Sequence, residues 1–333
     1  VISRSLATLL LVLGIFIGPA RVFAGPGSLP FKTVADIELT GNATRLDYQS
    51  LDPKRQLLFI AHLGDSTVIA VDVARRRVIA TIPDVSDVHG VLALPERGVV
   101  YASATGTNEV VAIDENTLKV VARMPGGVYP DGIGFDPRSG RLFVSDEHGK
   151  TETVIDTHSN QRIATIELGG EAGNTQYDAS SGHMFVNVQT LGKLIEIDPT
   201  SNEIVRKIPV SATGCIGNHG LLIDASRDRA FIACSDSSTL LLLDLRSRRI
   251  TGTWPIGEDP DVLAFDPSTN HLFIAAESGV ISIFTAGDAV SRLAQAFYAT
   301  AAHTVAVDPG THLVYLPLEN ADGRPRLRIV KMK

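Results

Sequence analysis

The chain has 333 residues, 44% of them hydrophobic and 20% charged, with a formal net charge of −7. An apolar share of that size excludes a disordered chain. The acidic balance excludes the basic footprint that nucleic-acid binding requires.

From the N-terminus, Arg4 precedes a twelve-residue apolar run, Leu6 to Ile17, which Gly18 and Pro19 interrupt. Val22-Phe23-Ala24 then places small residues at the −3 and −1 positions of a cleavage site, the layout of a secretory signal peptide. The run is shorter than the ~20 residues of a membrane span. Residues 1–24 are therefore expected to be removed after Ala24, leaving a periplasmic or secreted protein with no stable membrane insertion. Residues 25–31 form a short N-terminal segment, and 32–333 a single domain.

Within 32–333 seven aromatics recur: Phe59, Tyr101, Phe143, Phe185, Phe231, Phe273 and Tyr315, separated by 42, 42, 42, 46, 42 and 42 residues. Such a period marks one supersecondary unit repeated along the chain. Seven residues before the aromatic stands an Asp in six units (Asp52, Asp136, Asp178, Asp224, Asp266, Asp308), with Leu94 in the remaining one. Thirteen residues after it stands another in five units (Asp72, Asp114, Asp156, Asp198, Asp244). Between these turn signals lie short β-branched runs such as Leu57-Leu58-Phe59-Ile60-Ala61 and Thr67-Val68-Ile69-Ala70-Val71. Each unit supplies four strands, A to D, and four strands per ~40–45 residues is the arithmetic of a β-propeller. The expected fold is all-β: a seven-bladed propeller of four-stranded antiparallel blades. Val34-Ala35-Asp36-Ile37-Glu38-Leu39 matches a D strand with no A to C before it, while Leu327-Arg328-Ile329-Val330 matches a C strand with no D after it. Strand 33–39 is thus expected to complete the last blade and close the ring.

The strand B cores Leu142-Phe143-Val144-Ser145 and Leu272-Phe273-Ile274-Ala275 carry a resemblance. So do Val110-Val111-Ala112-Ile113-Asp114 with Thr117-Leu118-Lys119-Val120-Val121-Ala122, and Cys215-Ile216-Gly217-Asn218-His219-Gly220-Leu221 with Phe231-Ile232-Ala233-Cys234. In these the chain resembles the YVTN-type, or YncE-like, seven-bladed propellers over essentially all of 32–333. The resemblance implies the fold and no particular activity. With a single tryptophan, Trp254, the chain lacks the repeated Trp of WD40 and quinoprotein blades.

Cys215, entering strand A of the fifth unit, and Cys234, ending its strand B, are 19 residues apart and fall at one rim, so a disulfide is expected. The alternative is a redox or metal-binding pair. The extra residues of the fifth unit lie just before them.

Twelve residues before each anchor aromatic stand Asp47, His89, Asp131, Gly173, His219, Asp261 and His303. In a closed ring these share one height at a channel mouth, with Asn218 beside His219. Mixed imidazole and carboxylate suits a divalent transition metal. His303, Asp47, His89 and Asp131, in consecutive blades, are the expected ligands; residues on opposite sides are expected to be too far apart to share an ion. The alternatives are general acid/base work, anion binding, and a structural or water-binding ring. Two functions follow: an exported, monomeric binding or scaffold propeller for a protein, polymer or small ligand, or a metal-assisted hydrolase of lactonase type. The Arg/Glu/His clusters of lactonases have no residue-by-residue match here, which favours binding.

Overall fold

The computed structural model describes residues 28–333; the expected signal segment lies outside the described residues. Seven four-stranded antiparallel sheets follow one another. The innermost strands, A, are Gln49–Asp52, Val88–Leu94, Pro130–Asp136, Ala172–Asp178, Asn218–Asp224, Pro260–Asp266 and Ala306–Asp308 in blades 1 to 7. Each touches the strand A of both neighbouring blades, including the last with the first, so the ring is closed.

Closure is made as expected. Phe31–Glu38 pairs with Arg324–Met332, from Phe31 opposite Met332 to Glu38 opposite Arg326, and becomes the outer strand of blade 7. It begins two residues earlier than the sequence pattern suggested, because backbone pairing continues past the apolar core of the strand. Ile37 and Leu39 are buried against Leu58, Ile69, Tyr315 and Leu327, and Asp36 is held by Arg328 at 2.8 Å.

The repeat grammar has a physical basis. All seven anchor aromatics are at most 1% exposed, each in the middle of a strand B. The hydrophobic clusters join successive blades, as where Phe59 and Val68 pack with Val91 and Val111. The recurring aspartates close turns by accepting backbone N–H bonds: Asp52 from Lys54 and Arg55, Asp266 from Ser268, Asp114 from Thr117, Asp244 from Ser247. Where Leu94 stands instead, its own carbonyl accepts from Arg97 and Gly98. Cys215 and Cys234 form a buried disulfide, Cα atoms 5.5 Å apart, just after the extra turn Ser211–Thr213.

Candidate functional site

The ring positions fall where strand A breaks register with strand B. In blades 2, 3, 4 and 6 the pairing shifts across the two residues that include His89, Asp131, Gly173 and Asp261, and in blade 5 across His219. A bulge re-aims a side chain, and here it turns the ring side chains toward the axis. Two residues earlier, Asp87, Tyr129, Gly217, Asp259 and Ala301 all have positive φ, a turn that delivers the chain to the channel. Glycines let the blades approach: a Cβ on Gly90 would lie 2.1 Å from the Asp131 carbonyl oxygen, and one on Gly220 2.3 Å from that of Asp261.

Asp47, His89, Asp131, His219 and Asp261 line one cavity of about 220 Å³. His303 is fully buried behind Asp47. Asn218 stays outside: its amide nitrogen donates to Asn187 and to the Lys193 carbonyl, a tie between strands rather than a mouth group. The four expected metal ligands do not converge. The group whose ligand atoms lie within 4.8 Å of one another is Asp47, Asp261 and His303, in blades 1, 6 and 7. Asp261 stands where His89 and Asp131 were expected: the bulges of the three blades are alike, but His89 has both nitrogens engaged, by the Asp87 carbonyl and by Tyr129, whereas the Asp261 carboxylate reaches Asp47 and His303.

The histidines are held differently. His303 Nδ1 donates to the Ala301 carbonyl at 3.0 Å and His89 Nδ1 to that of Asp87 at 2.8 Å, so in both rings Nε2 is the nitrogen left to face other groups. His89 Nε2 accepts from Tyr129 Oη at 3.1 Å; His303 Nε2, 3.9 Å from Asp47 Oδ1, has no hydrogen-bond partner. His219 uses both nitrogens, Nδ1 toward Gln189 Oε1 at 3.3 Å and Nε2 toward Tyr48 Oη at 3.2 Å and Asp261 Oδ1 at 3.4 Å.

Burial alone would lower the pKa of His219, but the Asp261 hydrogen bond and the charges of Asp261, Asp131 and Glu147 win and push it up to about 9. His303 is likewise penalised by burial and raised to about 9 by Asp47, Asp261 and Glu277. Burial raises Asp131 to about 7, with His219 and His89 opposing. For Asp261 burial also opposes ionisation, yet the His219 hydrogen bond and charge hold it below the ordinary carboxylate range. The unliganded mouth is thus a set of imidazolium and carboxylate pairs with one carboxyl near neutrality.

Several lining groups escaped the sequence pattern. Four residues after each anchor stand Leu63, Thr105, Glu147, Gln189, Ser235, Glu277 and Glu319, a second ring at the end of strand B. Glu147, Gln189, Ser235 and Glu277 line the cavity, and the same count from the anchors would have found them. Arg45 reaches Glu277 Oε1 at 2.6 Å and Asp47 Oδ2 at 3.4 Å. Tyr48 of blade 1 crosses the channel to His219 of blade 5 and donates to Asp261 Oδ1 at 3.2 Å, a reach across the axis that no repeat offset announces.

No protein-family model and no curated protein matches the chain. Solved structures do. A Kuenenia stuttgartiensis hydrazine synthase structure is 13% identical, with TM-score 0.72 over 90% of this chain and 97% of that one. The WD40 repeats of RRP9 are 10% identical, with TM-score 0.76 over 90% and 100%. A structure of U3-55K is 11% identical, with TM-score 0.74 over 89% and 98%. The fold is a seven-bladed β-propeller. At these identities the likeness is one of architecture alone, and the ring residues, not the neighbours, carry any reading of function.

Proposed function

We propose that this protein is an exported binding propeller of YVTN type that takes a small organic cation, an amine, at the mouth lined by both rings. The observation that carries this reading is the charge of the cavity wall. Asp47, Asp131, Glu147, Asp259, Asp261 and Glu277 face it with Arg45 as the one permanently charged cation. Even with His219 protonated and Asp131 neutral, negative charge remains in excess. Tyr129, packed between His89 and His148, also lines the wall. Export is supported by the layout of residues 1–24, and the buried disulfide suits an oxidising compartment.

Calorimetric titration with spermidine and putrescine, and with citrate as the anionic counterpart, tests the reading. Amine binding that Glu147→Gln and Asp131→Asn weaken supports it. Citrate binding without amine binding overturns it.

A further inference from the structure

In the wall of the mouth between blades 6, 7 and 1 two buried groups stand close together. Asp47 is 1% exposed and His303 0%, and each carries a polar atom with no hydrogen-bond partner, Asp47 Oδ1 and His303 Nε2. Buried polar atoms ordinarily find partners, and leaving one unpaired is costly. These two face each other at 3.9 Å, and with a carboxylate oxygen of Asp261 they make a triangle with no side above 4.8 Å.

We propose that Asp47, Asp261 and His303 form a three-ligand site for one divalent transition ion of the zinc or manganese type, set in the wall of the mouth. The proposal rests on reading that mouth as a binding site. Ligand atoms about 2.1 Å from a shared tetrahedral ion stand about 3.4 Å apart, so side-chain shifts of about 1 Å close the triangle. The surrounding bonds leave one atom free on Asp47 and one on His303. Arg45 takes Asp47 Oδ2 and leaves Oδ1. The Ala301 carbonyl takes the Nδ1 proton of His303 and aims Nε2 inward, the outer-shell arrangement that orients metal-bound imidazoles. Two carboxylates and one imidazole form a borderline-hard set, which suits zinc and manganese rather than a thiophilic ion. Three protein ligands leave a position open toward the cavity, as in catalytic rather than structural zinc sites.

The test strips the purified protein with a chelator and reloads it with Mn²⁺ or Zn²⁺. One ion per chain by elemental analysis is expected, with electron spin-echo modulation showing one imidazole nitrogen on Mn²⁺. Asp47→Asn, Asp261→Asn and His303→Gln should each weaken binding more than about tenfold, while His158→Gln, in an exposed turn away from the mouth, leaves it unchanged. Wild type that retains no stoichiometric ion overturns the site. So does a spectrum with no imidazole coupling or with two, or a loss of metal in His158→Gln equal to that in His303→Gln. If a variant does not fold, the wild-type stoichiometry and spectrum still decide. Metal failure with spermidine binding intact in the same stripped protein would sink this site and leave the amine reading standing.

Discussion

Replacing Ile37 by alanine tests the closure of the ring where a single side chain bears on it. Ile37 is 6% exposed in a strand whose partner lies at the opposite end of the chain, and it packs against Tyr315, Leu327 and Ile329 of blade 7 and Leu58 and Ile69 of blade 1. Removing a buried Ile side chain to Ala costs about 2–5 kcal/mol, from lost transfer energy and the cavity left behind. Unfolding entropy of about 2.1 cal/mol/K per residue sums to roughly 0.6 kcal/mol/K for ~300 residues, so a 3 kcal/mol loss lowers Tm by about 5 °C. Thr33→Ala, at an exposed position of the same strand, keeps the backbone ladder and should cost under about 0.5 kcal/mol. Differential scanning calorimetry of both variants, beside a chain lacking residues 32–40, gives the comparison. The deletion should melt far below either and self-associate through the bared edge of Arg324–Met332. Equal midpoints for the two substitutions, or a deletion chain that melts like its parent, would refute closure by this strand.

Two further outcomes are expected. Replacing both Cys215 and Cys234 with serine should lower unfolding free energy by roughly 3 kcal/mol on the chain-entropy account of a 19-residue loop, read by denaturant titration; an unchanged midpoint would mean the bridge adds nothing to the extra turn of blade 5. Stability against pH should peak on the mildly acidic side. The turn aspartates Asp72, Asp114, Asp156, Asp198 and Asp244 are held below 3.8 by hydrogen bonds in the fold, and Asp266, despite burial, is brought to about 2 by its turn hydrogen bonds. Their contribution is therefore complete above the unfolded value and lost as pH falls through the folded ones. His219 and His303, raised to about 9, contribute fully below 6.5 and lose that contribution as pH rises toward 9. Melting temperatures that climb steadily from pH 6 to 9, or stay level from pH 4 to 2.5, would contradict these assignments.

The fold was legible because its signals are local and repeated. An Asp that accepts N–H bonds two or three residues ahead does so whatever surrounds it, and seven buried aromatics at one spacing leave little choice of architecture. The Cys pair was legible for a similar reason, since antiparallel strands A and B of one hairpin bring Asn218 opposite Cys234. The site was only half legible. Equal offsets placed Asp47, His89, Asp131, His219 and Asp261 at one mouth, yet they could not tell that Asp261 rather than His89 would meet Asp47 and His303. That choice depends on which neighbours hold each side chain and how far it leans across a narrow axis, not on the bulges, which fall alike in blades 2, 3 and 6. Glu152 shows the same limit: strand periodicity does not mark it, yet it is fully buried, and burial drives its carboxyl well above the ordinary range. Contacts between blades depend on twist, which spacing along one blade does not record.

Tyr48 lines both the mouth cavity and a second cavity of about 300 Å³ farther along the axis, walled by strand residues such as Ser50, Val91, Ile133 and Val262. Its hydroxyl, tied to His219 and Asp261, links blade 1 to blades 5 and 6 across the bore. The two cavities are walled differently: carboxylates, imidazoles and Arg45 line the first, while strand residues with no charged side chain line the second. A charged ligand therefore finds its counter-charges on one side of Tyr48 alone, and the opposite cavity can answer it with neutral hydrogen bonds only.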